Sequence, residues 1–203
     1  KGMLEDNLRM FFNIVRNKSS YKKLIHFGSG AEYDKSRPLK KVKEVDFDKR
    51  VPQDDYGFYK YTCSKYIEKS IDIVNLRIFG LYGKYEDYRY RFISNAICKN
   101  IFGLPITMKQ NVFFDYVYIN DFIKIIDYFI NHKTNFKFYN IGSGRRIDLL
   151  TITEIINNIL ERKSRVEVKK KGLNNEYSCN NNRLMSELSA SFKFTPLRDS
   201  VKD

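Results

Sequence analysis

The chain has 203 residues, 42% of them apolar and 30% charged, with three cysteines and a formal net charge of +13. That length holds one domain, or one domain with a small lobe, and can bury a sizeable core; the composition excludes a wholly disordered, collagen-like or disulfide-stapled chain. No apolar run approaches the roughly 20 residues of a membrane span, and the polar start KGMLEDNLRMFF is no signal peptide, so no membrane is expected and the cytoplasm is the expected compartment.

Residues 4–18 read as an amphipathic helix, with Leu4, Leu8, Phe11, Phe12 and Val15 at helical spacing. Leu24 to Phe27 is a short apolar run that ends in glycine, as a buried strand does. Residues 30–55 hold Pro38, Pro52 and mixed charge without a period, and predict a long loop of the kind that is usually functional. A helix is expected from about Tyr56 to Ser70, capped by Asp54 or Asp55. Asp72 to Phe79 reads as a second buried strand, broken by Gly80 and Gly83. Residues 90–102 suggest a helix, Ile106 to Met108 a short strand and Val112 to Ile119 a third buried strand. Asn120 or Asp121 should cap a helix to about Asn131. Phe136 to Ile141 is a fourth strand closed by Gly142-Ser-Gly144; Thr151 to Leu160 is helical, Val166 to Val168 a short strand, and 182–189 a weak helix before Thr195-Pro196. Alternating helices and buried strands predict an α/β fold, a parallel sheet with helices on both faces.

The charge excess is mostly lysine spread along the chain, with Lys169-Lys170-Lys171 the longest basic run, and no zinc, helix-turn-helix or RNA-binding signature accompanies it. Nucleic acid is therefore not the expected partner. Cys63, Cys98 and Cys179 are far apart, form no metal spacing, and read as reduced thiols; no metal is expected. Asp115 and Asp121 read as backbone-fixing and capping carboxylates, and His26 as a core residue.

One cluster carries chemistry. HFGSGAEYD puts Ser29 just past the carboxyl end of a predicted strand, the edge at which doubly wound sheets bind ligands. Farther on, Tyr56-Gly-Phe-Tyr-Lys60 opens a helix, and the i,i+4 spacing sets Tyr56 and Lys60 on one face. A lysine near a phenol favours the phenolate, and a serine hydroxyl can hold a substrate oxygen while the tyrosine moves its proton. That trio suits proton transfer at a carbinol or carbonyl coupled to hydride transfer with a nicotinamide. Tyr61-Thr-Cys-Ser-Lys65 has the same spacing, but Tyr61 lies inside the helix and lacks the flanking proline.

LIHFGSGAEYD, the Pro52 to Lys60 segment, NLRIFGLYGK, FFDYVYINDF, FYNIGSG and Thr195-Pro196-Leu197 follow one another in the order seen in a known family. On these segments the chain resembles the extended short-chain dehydrogenase/reductases, the NAD-dependent epimerase/dehydratase family that acts on nucleotide sugars. The resemblance implies Tyr56 as acid/base, Lys60 on the cofactor ribose, and Ser29 on the reacting oxygen. It implies Phe27, Phe79 and Leu81 beside the nicotinamide of NAD or NADP; Gly80, Tyr88, Arg89 and Arg91 are the candidates for the nucleotide-sugar side, the arginines by charge and position only. It also implies a homodimer through the first helix and the Tyr56 helix. Residues 1–83 with 111–144 would form the C-terminal part of a Rossmann-like cofactor domain, and 84–110 with 145–203 a substrate lobe.

The departures bear on the substrate. The Gly-x-x-Gly-x-x-Gly turn that cradles a dinucleotide pyrophosphate is absent from the sequence, so the chain is expected to be the C-terminal two-thirds of an enzyme. Gly30 and Ala31 replace the Asp-Glu pair of the 4,6-dehydratases, and Ala31 stands where 3,5-epimerising members have a cysteine. Phe114 takes the place of a phosphate-binding arginine, with Arg89, Arg91, Arg145 and Arg146 as substitutes by charge and position, and Gly80 stands in place of a sugar-contacting asparagine. The expected activity is that of an NAD(P)-dependent nucleotide-sugar epimerase or 4-keto reductase, in the making of sugar nucleotides and cell-surface polysaccharides. The alternatives are a catalytically silent relative that binds a nucleotide or a protein, and a basic nucleic-acid-binding protein.

Overall fold

Helix α1 (Met3–Arg16) lays Phe11 and Val15 against Tyr59, Cys63 and Ile67 of α2 (Asp55–Lys69), the contact its apolar stripe predicts. The computed structural model describes residues 2–203. Strand β1 (Leu24–Ser29) follows α1 and pairs in parallel with β3 (Ile73–Ile78), which pairs in parallel with β7 (Phe138–Ile141). Along β3 the side chains alternate in the manner of a pleated strand: Val74 and Leu76 join a core with Phe122, Ile125 and Phe129 of α4 (Ile119–Asn131), while Ile73 joins the α1/α2 core. Helices thus cover both faces of this parallel sheet, and the fold is α/β.

The segment expected to be a long loop is structured. Ser29 and Glu32 close a capping box around a short 3₁₀ turn (Gly30–Tyr33), and β2 (Leu39–Val42) pairs in parallel with β10 (Tyr177–Cys179), far along the chain. Four residues with two lysines give no local strand signal; the pairing is non-local. Gly80 does not end the strand run. It opens β4 (Gly80–Tyr82), which leaves the first sheet and pairs in parallel with β6 (Phe113–Tyr118). A Cβ at Gly80 would lie 2.6 Å from the Asp115 carbonyl oxygen and 2.9 Å from the Tyr116 ring, so close strand approach requires the glycine. The second sheet runs β2-β10-β6-β4, with β8 (Arg146–Asp148) antiparallel to β6.

The remaining elements build around a separate apolar core. Helix α3 (Phe92–Ile101), strand β5 (Ile106–Asn111) and helix α5 (Leu149–Ile159) contribute Ile93, Ala96, Ile106, Met108, Ile152 and Ile156 to it. Strand β9 (Val166–Leu173) is longer than the sequence suggests and pairs in parallel with β5; its lysine run is exposed. Helices α6 (Asn182–Glu187) and α7 (Leu197–Ser200) complete the chain. The expected cap of α4 is corrected: the helix starts at Ile119 behind Tyr118 with no side-chain cap. Asp121 instead accepts the Thr195 amide (2.7 Å) and hydroxyl (2.9 Å), tying down the tail. Among the described residues no helix is long and apolar enough to cross a membrane, and no cluster of metal-binding side chains occurs.

Candidate active site

The carboxyl ends of β1 and β3 open onto a cleft of about 820 Å³. Phe27, Ser29, Tyr56, Lys60, Phe79, Gly80, Leu81 and Arg91 line it together, although they are spread over some sixty positions of chain. Tyr88 and Arg89 are not among its lining residues. Arg89 is tied to Asp87 in an exposed pair at 2.8 Å. Arg146 is held by Glu176 at 2.6 Å and stacks over Phe113, and neither it nor Arg145 lines the cleft.

Local rules place the trio. Asp54 caps α2 by accepting the Gly57 amide at 3.1 Å, so Tyr56 sits in the first turn at the cleft mouth. The Tyr56 ring meets Tyr59 edge-on, and the Lys35 ammonium lies 5.5 Å from its centre. One turn on, Lys60 donates to the Phe27 carbonyl. Burial lowers the Lys60 pKa, and the nearby Glu32 carboxylate pulls it back up. Ser29 is buried, and its Oγ accepts the Ala31 amide at 3.1 Å.

Sequence reasoning missed much of the far wall. Tyr177 of β10 packs its ring, tilted, against Phe79 with centroids 4.8 Å apart; burial pushes its phenol up, while the Ser29 hydroxyl beside it pulls the other way. Glu86 also faces the cleft, raised by burial and hydrogen-bonded by Ser94. Lys35, Tyr116, Asn174 and Asn175 add polar groups. Apart from Tyr116, which lies in the FFDYVYINDF segment, none lies in a local motif, and the non-local pairing of β10 with β2 and β6 brings Tyr177 here. Phe114 is an apolar residue in the wall of the same cleft. Asp115 lies behind it, raised by burial, and accepts the Ser143 and Gly144 amides at 2.7 and 3.0 Å, a backbone-fixing role.

Residues 1–142 match the model of the NAD dependent epimerase/dehydratase family. Among curated proteins, the ADP-L-glycero-D-manno-heptose-6-epimerase of Cupriavidus pinatubonensis is 23% identical over 153 residues, 67% of this chain and 45% of that protein. The enzyme of the same name from Brachyspira hyodysenteriae is 24% identical over 134 residues, 60% of this chain and 42% of its own. The chain thus spans less than half the length of these relatives. Among solved structures, a UDP-N-acetylglucosamine 4-epimerase from Methanobrevibacter ruminantium, in complex with UDP-N-acetylmuramic acid, superposes with a TM-score of 0.78. It is 22% identical, over 97% of this chain and 67% of that one. A dTDP-glucose 4,6-dehydratase from Bacillus anthracis, in complex with NAD, gives 0.81 at 17% identity, over 99% of this chain and 68% of that one. At these identities the structures speak for the fold.

Proposed function

The chain belongs to the NAD dependent epimerase/dehydratase family, and from that premise we propose that the protein is an NAD- or NADP-dependent epimerase or 4-keto reductase acting on a nucleotide sugar. The observation that carries the reading is the meeting of Ser29, Tyr56 and Lys60 in one cleft. Three solved relatives of the same fold, one of them a UDP-glucuronic acid 4-epimerase from Bacillus cereus, are complexes with a nucleotide sugar, with NAD, or with both.

The cleft suits the nicotinamide-ribose end of the cofactor. Phe27 is 46% exposed at the strand end, an aromatic face free to take a planar ring, and Phe79 and Leu81 add apolar wall. Lys60 spends one of its three N–H donors on the Phe27 carbonyl and keeps two for ribose hydroxyls. When bound, the nicotinamide supplies or accepts hydride at a sugar carbon. Tyr56 exchanges the proton of the hydroxyl on that carbon, and Ser29 Oγ hydrogen-bonds the reacting oxygen. Arg91, Gly80 and Lys35 form the wall toward the nucleotide sugar, and Tyr88 and Arg89 lie outside that wall. Within this reading, residues 84–110 and 145–203 serve as the substrate lobe. Two copies pair through α1 and α2, whose shared groove exposes Met10 and Ile14.

The test is turnover of UDP-, ADP- and dTDP-sugars with NAD(H) or NADP(H). Tyr56→Phe should lower kcat by about 10²- to 10⁴-fold, the usual worth of a general acid/base. Near-normal turnover by that variant overturns the reading. Tight nucleotide binding without turnover by the unaltered protein would instead make it a silent relative, a reading that the apolar Phe114 in the cleft wall favours.

A further inference from the structure

Behind the cleft, outside its lining, lies a carboxylate with no exposed surface. Glu32 sits in the 3₁₀ turn after β1. Its Oε1 accepts the Ser29 amide at 3.0 Å and its Oε2 accepts Arg77 Nε at 2.6 Å. Ser64 of α2 donates its hydroxyl to Oε2, and the Asn75 amide donates to both oxygens at 3.3 and 3.2 Å. One side chain therefore joins the end of β1, which carries Ser29, the helix that carries Tyr56 and Lys60, and the strand that runs into Phe79.

The surroundings leave it no freedom. The Arg77 guanidinium is 1% exposed, donates to the Tyr33 hydroxyl at 3.0 Å, and stacks on Phe47 and Phe138 at 4.2 and 4.6 Å. Asn75 is anchored in turn by His26 at 2.9 Å. Gly28 must be glycine for the same reason, since a Cβ there would lie 2.4 Å from Glu32 Oε1 and 2.3 Å from Asn75 Oδ1. Stability alone does not call for such a group: buried ion pairs can often be exchanged for apolar residues at little or no cost. Directional bonds do what apolar packing cannot, holding three elements in one fixed relation.

We propose that Glu32 is a positioning residue that holds Ser29 in register with the Tyr56 helix. The inference rests on the proposed activity for its kinetic consequence and on the fold alone for its mechanical one. In Glu32→Gln one oxygen becomes an amide that cannot accept from Ser29 or Arg77. In turnover of a nucleotide sugar it should lose about 10²-fold in kcat, the scale of a misplacement near 1 Å, with KM little changed. In a Ser29→Ala background the same substitution should cost little more, because it acts through Ser29. Ser64→Ala, a milder cut of the tie to α2, should lower kcat several-fold and keeps the test open if Glu32→Gln does not fold. Hydrogen–deuterium exchange on the same variants reads the clamp without turnover. Residues 28–33 and 56–64 should exchange faster together, with α5 unchanged. Additive losses in the Ser29→Ala background, a change in KM alone, or unaltered exchange in the two segments each overturn the proposal. Absent turnover in the unaltered protein overturns the activity and leaves the exchange result to decide the clamp.

Discussion

At the scale of single residues, the buried polar groups are what make this core specific. His26 is half-buried against Phe11 and hydrogen-bonded to Asn75, and burial lowers its pKa, with Lys60 adding to the drop. The folded protein therefore favours the neutral ring. As pH falls below about 6.5 the unfolded chain takes up the proton first, so the stability this group contributes is full above that pH and lost as pH falls through the folded value. Urea unfolding of the wild type and of His26→Gln at about pH 7.5 and about pH 5.5 should show the wild type losing ground to the variant at the lower pH. A constant gap between the two would dismiss the effect. Ser29, Tyr56 and Lys60 were legible as candidates because the strand end and the helix start are local signals. Glu32, Asn75 and Arg77 were not: in NLRIF the polar positions alternate with apolar ones, and only their shared partner explains their burial.

At the scale of elements, caps and close contacts decide where helices and strands begin. Asp148 opens α5 by accepting the Leu150 and Thr151 amides at 3.1 and 3.3 Å and the Thr151 hydroxyl at 2.6 Å. Asp148→Ala should cost about 1–2 kcal/mol in urea unfolding, and Asp148→Asn less, since asparagine also caps. A loss of only a few tenths of a kcal/mol would mean the helix is held by its apolar face alone. Helices α1, α2 and α3 and strands β1 and β3 were readable in the sequence, α1 from its apolar spacing, α2 from its cap and the strands from short apolar runs ended by glycine. Strands β2, β4, β8 and β10 were not, since each is three or four residues long and owes its conformation to a partner distant in sequence.

At the scale of the whole molecule, the cleft exists because two sheets part company at Phe79. Strand β3 stays with β1 and β7, and β4 crosses to β6, so the far wall comes from the second sheet. The exposed α1/α2 face bears on assembly. Met10 and Ile14 are 57% and 44% exposed beside a groove that also holds Phe11, His26 and Cys63. If two copies pair there, Met10→Asp with Ile14→Asp should turn a dimer into a monomer by light scattering while leaving the circular dichroism spectrum intact; a wild-type monomer would refute the pairing. The amino-acid sequence by itself determined the α/β class, the long helices and the buried strands, and it offered Ser29, Tyr56 and Lys60 as candidates, because apolar spacing, caps and strand ends are local. The tertiary structure alone decided the short strands, the far wall with Tyr177 and Glu86, the exclusion of Tyr88 and Arg89 from the cleft, and the Glu32 clamp. Each of these depends on contacts between residues far apart in the chain, which no local pattern encodes.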